Sequence, residues 1–203
     1  MKRILLAAAL SCLAWGSSLA ADSAVSAPIT ALNAALISAM QSGKSTPFIQ
    51  RYTTLAPVVQ RAFDLPEVLQ ASIGPRWSQL PPKQQADLTT VFKQFTIASY
   101  VANFNSFDGE KFTVAPDTRA VGAEQVVSTQ IVPKSGDSNK LDYVMRQNAS
   151  GWHAIDVLLD GTISRAAVQR SDFRSLLTGN DAQPLIDSLK KKVAGLSGGV
   201  QLP

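Results

Sequence analysis

The sequence predicts an α+β fold in which a meander of four antiparallel strands has one face covered by helices. Three observations carry this prediction. From Pro28 to Phe104 apolar residues recur every three or four positions, the spacing of one helical face. From Phe112 to Leu159 the period falls to two, as in strands that bury one side. After Asp160-Gly161 the helical period returns. Helices and strands that are segregated along the chain, rather than alternating, favour an antiparallel sheet with helices on one side. At 203 residues and 45% apolar composition, one domain over residues 28–196 can bury a substantial core, with residues 197–203 as a flexible tail.

The chain begins with the pattern of an export signal over residues 1–20. Lys2 and Arg3 form a basic start, Ile4–Trp15 an apolar run, and Ser18-Leu19-Ala20 places small residues where a signal peptidase reads. The run is too short to span a bilayer as a stable helix. Acylation at Cys12 is the alternative, but Ala9-Leu10-Ser11 lacks the leading large aliphatic residue of a lipoprotein signal. Cleavage after Ala20 removes Cys12, the single cysteine, so the mature chain has no disulfide, thiol nucleophile or thiolate metal ligand. Loss of Lys2 and Arg3 lowers the formal net charge from +4 to +2. No stripe of Lys or Arg alternates with aromatics, so nothing points to nucleic acid. The run Lys190-Lys191-Lys192 reads as a solvated helix face, with a contact to a partner or an anionic surface as the alternative.

Each element then follows in order. Ala21–Ala27 is small and polar and is expected to be disordered. Ile29, Leu32, Leu36 and Met40 form the stripe of a first helix that Gly43 closes, and Phe48, Tyr52, Leu55, Val59 and Phe63 form that of a second, with a bend expected at Pro57. Asp64 caps a short third helix, with Pro66 in its first turn and Gly74 at its end. Pro81-Pro82 opens the longest helix, whose first half carries Leu88, Val91, Phe92 and Phe95 on one face. Its second half carries Ile97, Tyr100, Val101 and Phe104 about half a turn round, so two sides of it must be covered, one by the sheet and the other by a helix or an apolar guest. Phe112 and Val114, Arg119–Gly122 and Glu124–Val132 are strand-like, and Pro133–Lys140 is a polar loop. A hairpin from Tyr143 turns at Asn148–Gly151 and returns as Trp152–Leu159. A helix runs on to Leu177, and a last one carries Leu185, Leu189 and Val193, with fraying expected from Gly195.

Two sets of residues resemble the toluene-tolerance or MlaC family of periplasmic lipid carriers. One is Gly151-Trp152, Asp156-Val157, Asp160-Gly161-Thr162-Ile163-Ser164, Arg170 and Phe173. The other is Arg51-Tyr52, Leu55-Ala56-Pro57-Val58, Phe63-Asp64, Gly74 and Trp77. The unbroken run Asp156–Ser164, followed by Gln169–Arg174, is similar to the hopanoid-associated branch called HpnM. The resemblance covers Thr46–Leu196. It implies a curved four-stranded antiparallel sheet and several helices enclosing an apolar lipid cavity. It also implies a monomeric carrier that shuttles phospholipid or hopanoid between an inner-membrane ABC transporter bearing an MCE-type ring and an outer-membrane partner. No cofactor, metal or catalytic residue comes with it.

The residues themselves offer little chemistry. His153 is the single histidine, and the chain has no His-x-x-x-His, Glu-x-x-His or Gly-x-Ser-x-Gly. Strand alternation places Asp156 with Trp152, Ala154 and Leu158 on one face, near Tyr143 and Met145 across the hairpin and away from His153. A buried Asp156 would tie the hairpin to the following helix through Ser164 or backbone donors, the alternative being a role at the mouth of a cavity. In a rival reading it is the base of a proton-transfer enzyme, with Tyr143 as hydrogen-bond donor. A structural adaptor of a transport complex is a third. For a carrier, the wall of the lipid site is expected to comprise Tyr100, Val101, Phe104, Phe112, Val114, Tyr143, Met145 and Leu158. Arg170 and Arg174, four apart on one helix face, are candidates for a headgroup or partner contact because guanidinium suits phosphate.

Overall fold

The structure is a computed structural model that describes residues 16–203; Cys12 and the whole apolar run Ile4–Trp15 lie outside them. Among the described residues there are six α-helices, α1 (Gly16–Ser42), α2 (Phe48–Ala62), α3 (Leu65–Ile73), α4 (Pro82–Asn103), α5 (Arg165–Arg174) and α6 (Gln183–Ser197). Six strands form one sheet: β1 (Lys111–Val114), β2 (Arg119–Val121), β3 (Glu124–Val132), β4 (Asn139–Asn148), β5 (Gly151–Leu159) and β6 (Ile163–Ser164). The α+β class holds, with six strands in place of the expected four.

The extra strands have local causes. All pairings are antiparallel, in the order β1-β3-β4-β5-β6, with β2 sharing β3 alongside β1. β2 is three residues long and falls in the stretch read as strand-like at Arg119–Gly122, whereas β6, of two residues, is too short to show a period in sequence. β6 exists because the chain reverses tightly over Asp160–Thr162, between the paired Leu159 and Ile163: Asp160 and Gly161 both have positive φ, 51° and 73°, and Thr162 N–H donates to the Leu159 carbonyl at 3.1 Å. Gly161 is required for space as well, since a Cβ there would lie 3.3 Å from Asp142 Oδ2 and Lys140 Nζ. The upper part of β5 has its own cover, a bridge to Phe63 in which Asp64 N–H donates to the Ala154 carbonyl at 3.0 Å.

Ala21–Ala27 is not disordered but part of α1. Val25, 5% exposed, lies one turn before Ile29 and extends the stripe Ile29, Leu32, Leu36 into the core. Thr118 Oγ1 donates to Asp22 Oδ1 at 2.6 Å and holds this turn against the sheet. Residues 22–42 are long and apolar enough to cross a membrane by composition, yet their apolar stripe is buried in the core. α2 continues through Pro57 as one helix.

The frayed tail expected from Gly195 is also corrected. α6 runs to Ser197, Gly198 takes the left-handed cap, and the chain doubles back so that Gln94 Nε2 donates to the Leu202 carbonyl at 3.1 Å. α4 lies along α6, α3 along α5 and α1 along α2. The core joins Leu32, Leu55, Leu69, Leu88 and Leu185 to Val127, Tyr143, Met145 and Ala154 of the sheet.

Candidate functional site

The second half of α4 does not close against the sheet. Between them, with α3 and α5 at the sides, lies a pocket of about 180 Å³. Its floor is the buried Phe63, Leu65 and Phe92; its walls are Val68, Phe95, Thr96, Ser99, Tyr100, Phe104 and Val157; its rim includes the exposed Asn103 and Arg165, with Asp156 and Gln169. Five aromatic rings run end to end through this region. Tyr143 meets Phe63 at 6.1 Å between centroids, Phe63 meets Tyr100 at 5.9 Å, Tyr100 stacks on Phe104 at 5.9 Å, and Phe104 meets Phe112 at 6.0 Å. These separations suit tilted and offset aromatic contacts.

Apolar side chains make the floor and most of the walls, and two tyrosine hydroxyls lie in this region, Tyr100 in the wall and Tyr143 beside the pocket. Burial pushes the Tyr100 hydroxyl well above its usual range, with Tyr143 adding to the shift and Arg165 opposing it. Burial pushes Tyr143 up to about 12. Both hydroxyls therefore stay neutral, and that of Tyr100, in the pocket wall, is a donor available to a guest.

Of the eight wall residues expected from sequence, Tyr100 and Phe104 line this pocket. Phe112 and Tyr143 belong to the ring chain beside it. Val101 and Met145 are fully buried and Val114 packs against the same core.

Leu158 falls on a different face from Tyr143. The cause is a bulge in β5: Met145 pairs with Ala154 but Val144 pairs with Asp156, leaving Ile155 as the extra residue. Val157 rather than Asp156 therefore stands opposite Tyr143, and Leu158 pairs with Asp142. Regular alternation, which grouped Asp156 and Leu158 with Ala154 and apart from His153, is corrected at this point. Phe63, Ser99, Asn103, Val157, Arg165 and Gln169 were missed as pocket residues. Phe63 was read as the end of a core stripe, and nothing in the spacing of Arg165 sets it apart from a solvated charge.

Asp156 makes a tie to α5. Oδ1 accepts from Val157 N at 2.8 Å and Ala166 N at 3.0 Å, and Oδ2 accepts from Ser164 Oγ at 2.5 Å. Ser164 in turn accepts from Ala167 N at 3.0 Å as the N-cap of α5. His153 lies at the sheet edge, Nδ1 2.9 Å from the Arg61 carbonyl and Nε2 2.9 Å from Ser150 Oγ. Arg170 is engaged elsewhere: Nε and Nη2 donate to the Ala71 carbonyl at 2.9 and 2.6 Å, over Gly74, where a Cβ would come within 3.3 Å of Nε. Arg174 is exposed and away from the pocket. Arg51 ties α2 to the end of α4, donating from Nη1 to the Val101 carbonyl at 2.8 Å. Lys192, from the basic run of α6, sits 5.6 Å over the Phe95 ring. Among the described residues no cluster of His, Cys, Asp and Glu could hold a metal.

A solved structure superposes on this architecture with a TM-score of 0.70, covering 85% of this chain and 98% of the other at 19% identity. It is that of a phospholipid-binding protein from Ralstonia solanacearum in complex with a phospholipid. The profile of the MlaC protein family matches residues 30–191. The chain belongs to the MlaC family. No protein of curated function matches the sequence. The matched span runs from α1 to α6 and so includes every residue of the pocket.

Proposed function

We propose that this MlaC-family chain is a soluble lipid carrier that holds the tails of a phospholipid or hopanoid between α4 and the sheet. The observation that carries the reading is the aromatic pocket itself, floored by the buried Phe63 and Phe92 and walled by Phe95, Tyr100 and Phe104, which pack only partly against the core. Family membership and a lipid-loaded structure of the same fold support it. Residues 1–20 act as the export signal, and the mature chain works in the periplasm between an inner-membrane ABC/MCE complex and an outer-membrane partner. The run Asp156–Ser164 is what favours the hopanoid-associated branch.

Size dictates how loading proceeds. A volume of about 180 Å³ is near that of a cavity that holds one benzene, ~150 Å³. It is well below the ~300–1,000 Å³ of small-molecule sites. Tails therefore enter by parting the second half of α4 from the sheet, so that Phe104, Phe112, Val114, Tyr143 and Met145 become wall. Hiding about 15 methylenes at ~0.8 kcal/mol each supplies roughly 12 kcal/mol for that opening. The rival reading, proton transfer by Asp156, finds less support: its oxygens serve three donors and Val157 takes the place opposite Tyr143.

The experiment is native mass spectrometry of the mature chain before and after exposure to vesicles containing phospholipid and hopanoid. Wild type is expected to carry lipid. Ser99→Phe, which fills the pocket from a position whose hydroxyl bonds its own helix at Phe95, should lose lipid about tenfold at an unchanged thermal midpoint. Wild type that takes up neither lipid overturns the reading.

A further inference from the structure

We infer that Arg165, assisted by Asn103, seats the phosphate of the bound lipid's headgroup at the rim of the pocket and so selects anionic lipids over uncharged ones. The inference rests on the carrier reading and adds a specificity-determining residue to it. Arg165 is exposed at the rim and makes no hydrogen bond or ion pair among the described residues, so its five N–H donors are uncommitted. Asn103, the last residue of α4, is likewise exposed there, with a side-chain amide that has no partner among the described residues.

The start of α5 does not itself provide the seat. Two of its first-turn N–H groups are already met, Ala166 by Asp156 and Ala167 by Ser164. The guanidinium is thus the group left to receive an anion, and it does so in a bidentate geometry that an ammonium lacks. Asp156 is the one acidic group in the lining, and three donors turn its oxygens toward β5 and α5. The charge of Arg165 is felt within the pocket, where it opposes the rise at Tyr100. A lipid with its tails on Phe63 and Phe92 would leave its polar end at this rim, next to the one cation of the lining.

The test loads the mature chain from mixed vesicles of phosphatidylglycerol and diacylglycerol with the same acyl chains, read by native mass spectrometry. Wild type is expected to take phosphatidylglycerol roughly tenfold over diacylglycerol. Arg165→Gln should remove the preference while diacylglycerol still loads, and Arg165→Lys should restore part of it. Inorganic phosphate at millimolar concentration should not displace the lipid; displacement would show a free-anion site and overturn the headgroup assignment. An unchanged preference in Arg165→Gln overturns the inference alone, whereas wild type that loads neither lipid overturns the carrier reading and the inference together.

Discussion

In the first half of α4, Leu88, Val91 and Phe92 are sealed in the core where the helix runs along α6, at 0–2% exposure. In the second half, Ile97 and Val101 are sealed as well, but Tyr100 and Phe104 stand half-buried over an opening. The apolar content of the two halves is similar. The difference lies in what these residues meet: Leu88, Val91 and Phe92 are sealed in the core, whereas Tyr100 and Phe104 face rings whose centroids stay about 6 Å apart. Hydrophobicity alone thus does not decide where a core closes. Flat, bulky groups facing other flat groups leave slots that branched aliphatic chains would fill.

The largest expected effect is in the sealed half. Leu88→Ala should cost about 2–5 kcal/mol in urea unfolding, the usual range for a buried leucine that leaves a cavity. A loss below about 1 kcal/mol would mean that the first half is as loosely packed as the second.

The next effect tests the buried hydroxyl beside the pocket. The folded-state value for Tyr143, about 12, lies above its ordinary value of 10.0. The neutral form is therefore the one the fold favours. Its contribution is fully present below pH about 10 and is lost as pH rises toward 12, a change of about 2–3 kcal/mol. Urea midpoints measured from pH 8 to 12 should fall over that window, and Tyr143→Phe should flatten the fall by that amount. Tyr52 and Tyr100, raised in the same direction by burial, supply the remainder. An identical pH profile in Tyr143→Phe would place the hydroxyl in water.

The smallest effect sharpens the comparison at the rim. Asp156→Leu removes acceptors from Val157 N, Ala166 N and Ser164 Oγ and should cost about 1–3 kcal/mol, while Asp156→Asn keeps one acceptor oxygen and should cost less. Thermal midpoints and bound lipid distinguish the roles. A folded Asp156→Asn protein that no longer takes up lipid would make the carboxylate a functional group rather than a tie.

The two-sided character of α4 was legible because Leu88, Val91 and Phe92 and then Ile97, Tyr100 and Phe104 repeat at helical spacing with a visible phase change. The tie from Asp156 to Ser164 was legible for a similar reason, a lone acid in an apolar strand that needs donors nearby. The bulge at Ile155 was not: Trp152–Leu159 alternates no differently from a regular strand, and the extra residue is set by how β4 pairs with it. The helical form of Ala21–Ala27 hung on one residue, Val25, whose spacing to Ile29 counts only once a core exists to receive it. The pocket residues suffered most. Phe63 and Val157 read as core, and Arg165 read as surface, because a site made by an incomplete contact between elements leaves no period of its own.

The bridge between Phe63 and Ala154 has a further consequence. With β6 covering Leu158 and Leu159, it divides the outer margin of β5 into short pieces. The opposite margin is shared by β1 and β2, of four and three residues, each carrying a positive charge at its start. Long open ladders are templates on which a second chain can grow, and this sheet has none at either margin among the described residues. Opening the pocket would therefore bare greasy side chains without offering a backbone ladder for polymerisation.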